Sequence, residues 1–262
     1  MRRIAERIYL AIIFIFMYAP IAALIVLSFN SSKSRAKWGG FTFGWYANLI
    51  SDEAVRDALI NTLIIAVLAT LFSTLIGTFT CIAMKGMKRR YRTVIMGVTN
   101  IPMINADIVT GISLMILFRA LHMSSGFATV LLAHITFDIP FVMASVMPRM
   151  KEINESVYEA ALDLGASPVY AFMKSVFPDL LPSVISGALM AFTMSLDEFI
   201  ITYFTKGSGF DTLSTLIYNE VKRGIQPEIY ALSAIIFIVV LILLSLVNTL
   251  PGSKNRSQKQ KA

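Results

Sequence analysis

The sequence contains few charged residues. Asp, Glu, Lys and Arg make up 15% of its 262 residues, whereas an average soluble domain has about 25%. Hydrophobic residues make up 56%, and the mean hydropathy is +0.70. A soluble core cannot bury that much apolar surface, so the shortage of charge argues against an ordinary soluble domain and favours a protein that lies in a bilayer.

Cysteine and histidine are equally scarce. Cys81 is the one cysteine, so it cannot form an internal disulfide, and its place in an apolar run is typical of a small hydrophobic side chain. Two histidines and one cysteine supply neither a nucleophile–base pair nor a metal-ligand set that can be defended. We therefore predict no catalytic residue and no metal site, which disfavours an intramembrane enzyme.

Two longer patterns are also missing from the sequence. No G-x-x-x-x-G-K-[ST] pattern occurs, so the chain cannot bind ATP through a P-loop, and we predict no cofactor of its own. No internal repeat is visible, whereas ion-coupled secondary transporters are commonly built from inverted repeats. The net charge is +7, but the basic residues lie between apolar runs, so they indicate contact with membrane lipid and not with nucleic acid.

Six apolar runs are long enough to cross a membrane. A helix rises about 1.5 Å per residue, so about 20 residues cross the hydrocarbon core. We predict an all-α integral membrane protein, a single transmembrane domain over residues 1–262, with six spans at about 8–28, 59–84, 94–118, 126–147, 183–204 and 230–250. The first run is too long for the apolar part of a signal peptide, so we interpret it as a retained span. The polar residues 252–262 are predicted to be a disordered tail.

The distribution of Lys and Arg predicts which side of the membrane each connection faces. The N-terminus, the second connection, the fourth connection and the tail carry three, five, three and four basic residues, fifteen in all. The other three connections together carry eight. Because cytoplasmic segments are enriched in Lys and Arg, both termini are predicted to lie in the cytoplasm.

The fourth connection predicts a pair of short helices at about 152–177, on the cytoplasmic face. Its first half has apolar residues at helical spacing, namely Ile153, Val157, Ala160, Ala161 and Leu164. Gly165 suits the C-terminal cap of this first helix, because glycine adopts a positive φ without steric cost. Ser167 suits the N-cap of the second helix, which is predicted to end before Pro178.

Acidic residues fall within or near the apolar runs at four positions: Asp107, Asp138, Asp197 and Glu198. A charge at the centre of a bilayer costs about 2.5–3.5 kcal/mol on insertion scales. Each carboxylate can therefore be structural, bonded to a backbone group freed near Pro102 or Pro140, or it can line a water-filled path. His134 precedes Asp138 by one helical turn, and the two are predicted to form a structural pair and not a proton relay.

The fifth span carries the pattern that best fits a ligand. One helical stripe is polar and contains Ser195, Glu198 and Thr202. The stripe beside it is aromatic and contains Phe192, Phe199 and Tyr203. A carboxylate beside aromatic faces suits a desolvated organic cation, through charge pairing and cation–π attraction. Asp197 points about 100° away from Glu198, so the two need not share a role. Asp107 of the third span is a further candidate.

Aromatic residues of the first outer loop have two possible roles. Trp38, Trp45 and Tyr46 can belong to an interfacial aromatic belt, or they can form a surface element that meets a soluble protein outside the membrane. The sequence leaves both open.

The pair of short helices carries a recognisable motif. The run Glu159-Ala160-Ala161, three residues, Gly165, nine residues and Ser175-Val176-Phe177-Pro178 resembles the EAA signature of permeases in binding-protein-dependent ATP-binding-cassette importers. Ser175 and Phe177 replace the usual Ile and Leu, whereas the other signature positions match. The resemblance implies a type I importer permease fold in which Glu159, Ala160, Ala161, Gly165 and Pro178 couple the permease to a separate ATPase.

Further stretches resemble the permeases of spermidine/putrescine importers, and in length the chain resembles the shorter of the two permeases that such systems pair. The stretches are 107–114, 134–137, 161–167 and 191–204. The resemblance implies transport of a polyamine across a bacterial inner membrane along Glu198, Asp197, Asp107, Tyr203, Phe199, Ser195 and Thr202. It also implies a second permease subunit in a heterodimer, two cassette ATPase subunits that bind the ATP, and an extracytoplasmic polyamine-binding protein.

Two alternatives remain open at this point. Related importers of other small organic solutes carry close variants of the fifth-span stretch, so the solute can differ. An ion-coupled secondary transporter would use the carboxylates for protons, but it would leave the EAA helices without a function.

Overall fold

The computed structural model describes residues 2–33, 37–224 and 226–249. These residues form helices and one isolated β-bridge between Asn30 and Phe41, so the all-α class is confirmed. The helices are α1 (Arg2–Leu27), α2 (Gly44–Ser51), α3 (Glu53–Lys85), α4 (Arg89–Thr99), α5 (Ile101–Ile104), α6 (Asp107–Ala120), α7 (Phe127–Glu152), α8 (Glu155–Asp163), α9 (Pro168–Ala171), α10 (Phe177–Asp197), α11 (Ile200–Thr205), α12 (Leu213–Arg223) and α13 (Pro227–Thr249). A π turn, Phe172–Val176, joins α9 to α10.

The helices are divided between two compact units. The first unit contains α1, α2, all of α13 and most of α12. Within it, α13 packs against both α1 and α2. The second contains most of α3 and all of α4 to α11, and in it α7 packs along α10 while α11 packs against α6 and α7. Of the long apolar helices described, α7 is the most buried: 61% of its most apolar 18-residue stretch is buried, against 28% or less in the others. α7 is therefore the central helix of the second unit.

Polar contacts hold the connection that follows α1 in the first unit. The indole Nε1 of Trp45 donates to the carbonyl oxygen of Asn30 at 2.8 Å, and the hydroxyls of Ser28 and Tyr46 are 2.6 Å apart. Trp45 and Tyr46 therefore help to fold this loop, whereas Trp38 is exposed.

Glycines allow the helices of the second unit to approach each other closely. A Cβ on Gly77 of α3 would lie 2.9 Å from Cγ1 of Val142, and a Cβ on Gly187 of α10 would lie 3.3 Å from Cα of the same valine. Val142 of α7 is thus held between two glycines. Small residues at such contacts let membrane helices gain packing energy, because apolar lipid offers no hydrophobic driving force for their association.

Replacing Gly187 with leucine is expected to destabilise the second unit. The added side chain has no room beside Val142 and Ser145, and overpacking of this kind costs about 1–3 kcal/mol. The matched control is Gly97→Leu, at an exposed helical site with open space around it. Thermal unfolding of the detergent-solubilised protein measures the effect, and an equal melting temperature for the two variants would contradict the close contact.

The predicted spans differ from one another in how continuous their helices are. The spans 8–28, 59–84 and 126–147 coincide with single long helices, and residues 230–249 of the last span lie in α13. The span 94–118 is not one helix, because it is divided among α4, α5 and α6. The interruptions fall at Asn100 and at Asn105–Ala106, on either side of the short helix α5, whose second residue is Pro102. Four helical segments among the described residues are long and apolar enough to cross a membrane, so the count of six remains a prediction.

The span 183–204 is also discontinuous. α10 ends at Asp197, the two residues Glu198 and Phe199 leave the helical path, and α11 begins at Ile200. Neither Pro nor Gly stands at this break. The predicted tail at 252–262 lies outside the described residues.

The fourth connection follows the predicted pattern in its first half. Asn154 caps α8 by accepting the N–H of Ser156, and Gly165 has φ +85°. The N–H groups of Gly165 and Ala166 donate to Leu162 and Ala161 at 2.9 and 3.0 Å, which closes the helix in a Schellman motif. Ser167 then caps α9, as predicted, by accepting the N–H of Tyr170.

The prediction that the second short helix ends before Pro178 is wrong. Helical structure continues from Pro168 through the π turn and on to Asp197. At the end of the π turn the N–H of Phe177 donates to the carbonyl of Phe172, five residues back. This widened turn precedes Pro178, which occupies the first turn of α10, where a missing N–H is tolerated. The second of the two predicted short helices is therefore continuous with the membrane helix α10.

Candidate functional site

A cavity of about 400 Å³ lies in the second unit, where α5, α6, α7 and α10 meet the break before α11. It is lined by Pro102, Met103, Asp107, Phe137, Phe141, Met194, Asp197, Glu198, Phe199 and Ile200. Its volume is at the lower end of the range found for small-molecule sites. The lining combines three carboxylates with three aromatic rings.

Helix ends bring the three carboxylates together. Asp107 is the first residue of α6, Asp197 is the last residue of α10, and Glu198 occupies the break that follows. Asp197 is exposed to the cavity, Asp107 is half-buried, and Glu198 is only 9% exposed. Glu198 lies close enough to Asp107 and Asp197 for their charges to interact.

The side chain of Glu198 stabilises the break in which it lies. Its Oε1 accepts the N–H of Ile201 at 2.9 Å, so it satisfies a free donor in the first turn of α11. Its own carbonyl accepts the hydroxyl of Thr202, also at 2.9 Å. A residue that is chemically suited to hold a cation is thereby fixed in position by the backbone.

His134 connects α7 to both sides of the same break. Its Nδ1 is 2.7 Å from the hydroxyl of Ser195, and its Nε2 is 2.7 Å from the hydroxyl of Thr202. The predicted pair of His134 with Asp138 is therefore wrong. A tertiary contact to α10 and α11 replaces the local contact that the spacing of four residues predicts.

Aromatic rings form the apolar wall of the cavity. The rings of Phe137 and Phe141 are 5.3 Å apart on α7, and the ring of Phe199 is 5.6 Å from that of Tyr203. Phe137 and Phe141 were not predicted as site residues. Their spacing of four residues on one face of α7 is the signal that was available in the sequence.

The structure brings some of the predicted pathway residues together and separates others. Glu198, Asp197, Asp107 and Phe199 all line the cavity. Ser195 and Thr202 are buried against His134 and do not line it. Tyr203 stands behind Phe199 and is 37% exposed. The ligand pathway itself remains a prediction.

The predicted coupling residues lie on an accessible surface. Glu159 and Ala160 are exposed on α8, Ala161 is half-buried, and Gly165 has open space around its Cα. Apolar side chains are exposed beside them, namely Val157, Leu164, Val169, Tyr170 and Met173. Leu164 is 89% exposed, which is unusual for leucine. We define this set as the α8–α9 surface.

The α8–α9 surface is anchored from behind. Lys85, at the end of α3, forms an ion pair of 3.1 Å with Glu155 in the first turn of α8. Tyr158 and Ile153 pack on the buried cluster that contains Val176 and Leu180. No group of three His, Cys, Asp or Glu that could hold a metal occurs among the residues described.

Sequence comparison establishes the class of protein. Residues 69–251 match the family described as "Binding-protein-dependent transport system inner membrane component", and the chain belongs to this family. It is therefore a multi-pass inner-membrane subunit of an ATP-binding-cassette importer, and its work is transport and not catalysis.

Polyamine permeases are among its relatives. The chain is 37% identical over 235 residues to the spermidine/putrescine transport system permease protein PotC of Escherichia coli K12. The aligned region covers 90% of this chain and 89% of the relative. It is 37% identical over 230 residues to the putrescine transport system permease protein PotI of the same strain, with 85% and 82% covered. PotC of Haemophilus influenzae is 34% identical over 247 residues.

Solved structures of other importers share the fold. A bacterial ABC transporter that imports the acidic polysaccharide alginate contains a chain that superimposes with a TM-score of 0.72 at 17% identity, with 94% of this chain and 93% of that chain covered. An amino acid ABC transporter with histidines gives a TM-score of 0.56 at 19% identity. At these identities the likeness concerns the fold.

Proposed function

We propose that this permease translocates a polyamine, spermidine or putrescine, with energy from ATP hydrolysed in a partner subunit. The observation that carries the proposal is the cavity, in which Asp107, Asp197 and Glu198 face the rings of Phe137, Phe141 and Phe199. The names of the relatives in Escherichia coli and Haemophilus influenzae support the same solute class.

The physical requirements of a polyamine match this lining. Each ammonium group loses hydration when it enters a low-dielectric region, and carboxylates and aromatic faces offset part of that loss. The methylene segments between the ammonium groups can contact apolar side chains without losing any hydrogen bond to water. A cation bound by a few carboxylates can also leave again, as transport requires.

The α8–α9 surface is proposed to dock on the ATPase subunit. Its large apolar side chains are between 49% and 89% exposed, and acidic residues stand beside them at Glu155, Glu159 and Asp163. An acidic, apolar helix suits a protein groove better than the cytoplasmic leaflet, whose lipids are negatively charged. The continuous helical run from Pro168 to Asp197 would transmit movement of this surface towards the cavity.

The remaining parts of the assembly follow from the class of importer. The proposed complex contains a second permease in a heterodimer, two cassette ATPases that bind ATP, and an extracytoplasmic polyamine-binding protein. One structural relative is an alginate transporter in complex with a pentasaccharide-bound periplasmic protein. That complex supports the expectation of an external binding protein here.

ATPase stimulation in the reconstituted complex tests the proposed solute. The permease pair, ATPase and binding protein are reconstituted together, and hydrolysis is measured with putrescine, spermidine, glutamate or maltose. Putrescine or spermidine is expected to stimulate hydrolysis and to accumulate in vesicles, whereas the anionic and neutral solutes are expected to do neither. Stimulation by glutamate or maltose alone would reject the polyamine proposal.

Both termini are proposed to be cytoplasmic, which places Gly86 inside and Ser208 outside. Both positions are exposed in the described structure. In a Cys81→Ala background, an impermeant maleimide added to intact cells is expected to label Ser208→Cys and to spare Gly86→Cys until the cells are opened. The reverse labelling pattern would invert the orientation.

A further inference from the structure

Asp138 lies in the middle of α7 and is completely buried. Within the part of the chain that the structure describes, neither of its carboxylate oxygens has a hydrogen-bond partner. Buried polar groups in proteins are almost always hydrogen-bonded, so this side chain requires an explanation.

The packing of α7 on α10 shows what Asp138 faces. One turn before it, His134 bonds Ser195, and one turn after it, Val142 contacts Gly187. The two helices are antiparallel, so the register of these contacts places Asp138 opposite Ala191. Alanine offers no side-chain donor there. The carboxylate of Asp138 therefore lies, without a hydrogen-bond partner, between the polar contact of His134 with Ser195 and the apolar contact of Val142 with Gly187.

The surrounding helices supply no positive charge. α10 and α11 contain no basic residue, α6 and α7 carry basic residues only in their last turns, and those of α3 stand near its ends. The residues concerned are Arg119 of α6, and Arg149 and Lys151 of α7. His134 already uses both ring nitrogens. The charged group that acts on Asp138 from the break between α10 and α11 is Glu198, which is acidic.

An ionised Asp138 would be costly in this arrangement. A bare carboxylate in an apolar interior loses its hydration without compensation, and the negative charge of Glu198 adds repulsion. A proton on Asp138 removes both penalties. The neutral acid is therefore the form that fits this closed arrangement.

We propose that Asp138 is a second ammonium-binding site, reached after the cavity on the cytoplasmic side of Glu198. The proposal rests on the polyamine function and extends it to a residue that does not line the cavity. When α7 and α10 part at Ala191, water enters, the carboxyl proton passes to that water, and the carboxylate pairs with an ammonium group. After the solute leaves, water returns a proton and the helices close again. Because a polyamine carries ammonium groups at intervals, Glu198 and Asp138 can bind neighbouring groups of one molecule.

Modification with dicyclohexylcarbodiimide tests the site directly in the wild-type complex. This reagent adds to protonated carboxyl groups in apolar surroundings, and peptide mapping distinguishes Asp138 from Glu198. Asp138 is completely buried while α7 and α10 are closed, so it is expected to be modified when binding protein and ATP drive the helices apart in the absence of polyamine. Addition of putrescine under the same conditions is expected to lower the modification severalfold, because the bound ammonium displaces the proton.

Uptake by variants supplies the second measurement. Asp138→Asn keeps the shape and removes the charge, and it is expected to lower putrescine uptake per assembled complex about tenfold. The matched control is Asp57→Asn, at an exposed site on α3, which should leave uptake unchanged. The labelling measurement uses the wild-type chain, so it decides the question even if Asp138→Asn does not assemble.

The possible failures are distinguishable. If the wild type imports putrescine but the polyamine does not protect Asp138 from modification, the second site is rejected and the polyamine function stands. Absence of modification in every state also rejects it, because Asp138 would then stay enclosed or paired throughout the transport cycle. If the wild type imports neither putrescine nor spermidine, the proposed function fails, and this site fails with it.

Discussion

Replacing Glu198 with glutamine is expected to lower polyamine uptake per assembled complex by about tenfold to a hundredfold. The substitution removes one charge, and a hydrogen bond to a charged group contributes about 1.5–3 kcal/mol. The amide oxygen of glutamine can still accept the N–H of Ile201, so the break before α11 is expected to persist. Radiolabelled putrescine uptake, normalised to the complex in the membrane, measures the effect.

Asp197→Asn is the matched comparison. Asp197 lines the same cavity but is exposed, whereas Glu198 is 9% exposed. A charge near water is screened more strongly than a buried one, so the loss of uptake in Asp197→Asn is expected to be smaller. A large loss in Asp197→Asn with none in Glu198→Gln would reverse the assignment. Normal uptake in both would reject the cavity as the cation site.

Replacing Gly165 with tryptophan is expected to separate the permease from its ATPase. No atom of the described residues lies within 4 Å of a Cβ at this position, so the ring would project from the α8–α9 surface. A bulky obstruction at the centre of an interface costs several kcal/mol, and copurified ATPase and uptake are both expected to fall at least about tenfold. Affinity purification from membranes measures the first effect.

The variant Gly165→Asn distinguishes the effect of a large side chain from the effect of backbone strain at this position. The backbone φ is +85°, and asparagine is the residue other than glycine that adopts this conformation with little strain. Its side chain is small, so this variant is expected to retain most of the ATPase. If both variants lose it equally, the turn itself and not the free surface is what matters. If both retain it, the α8–α9 surface does not dock the ATPase.

Features set by neighbouring residues could be predicted from the sequence. The end of α8 at Gly165 and the cap of α9 at Ser167 depend on groups within four residues, so local chemistry determines them. The acidic and aromatic residues of the fifth span were predicted as site residues from their spacing along one helix, which is also a local pattern. Their convergence with Asp107 into one cavity follows from helix packing, which one helix cannot reveal.

Features set by distant contacts could not be predicted. The break after Asp197 contains neither Pro nor Gly. It frees the backbone N–H of Ile201, which donates to the side chain of Glu198. His134 bonds Ser195 and Thr202 through packing and not through its own helix. The helix continues past Pro178 because a π turn supplies room for it, and residue spacing does not indicate such a turn.

The end of α10 at the cavity has a further consequence for the sign of the accepted charge. The peptide dipoles of its 21 residues add up along the helix, so its C-terminal carbonyls carry about half a negative charge at that end. This potential belongs to the backbone and persists when side chains change. The N-terminus of α6, at Asp107, carries the opposite partial charge in the same lining, so the helix ends polarise the cavity and the carboxylates set the net sign of the charge that it accepts.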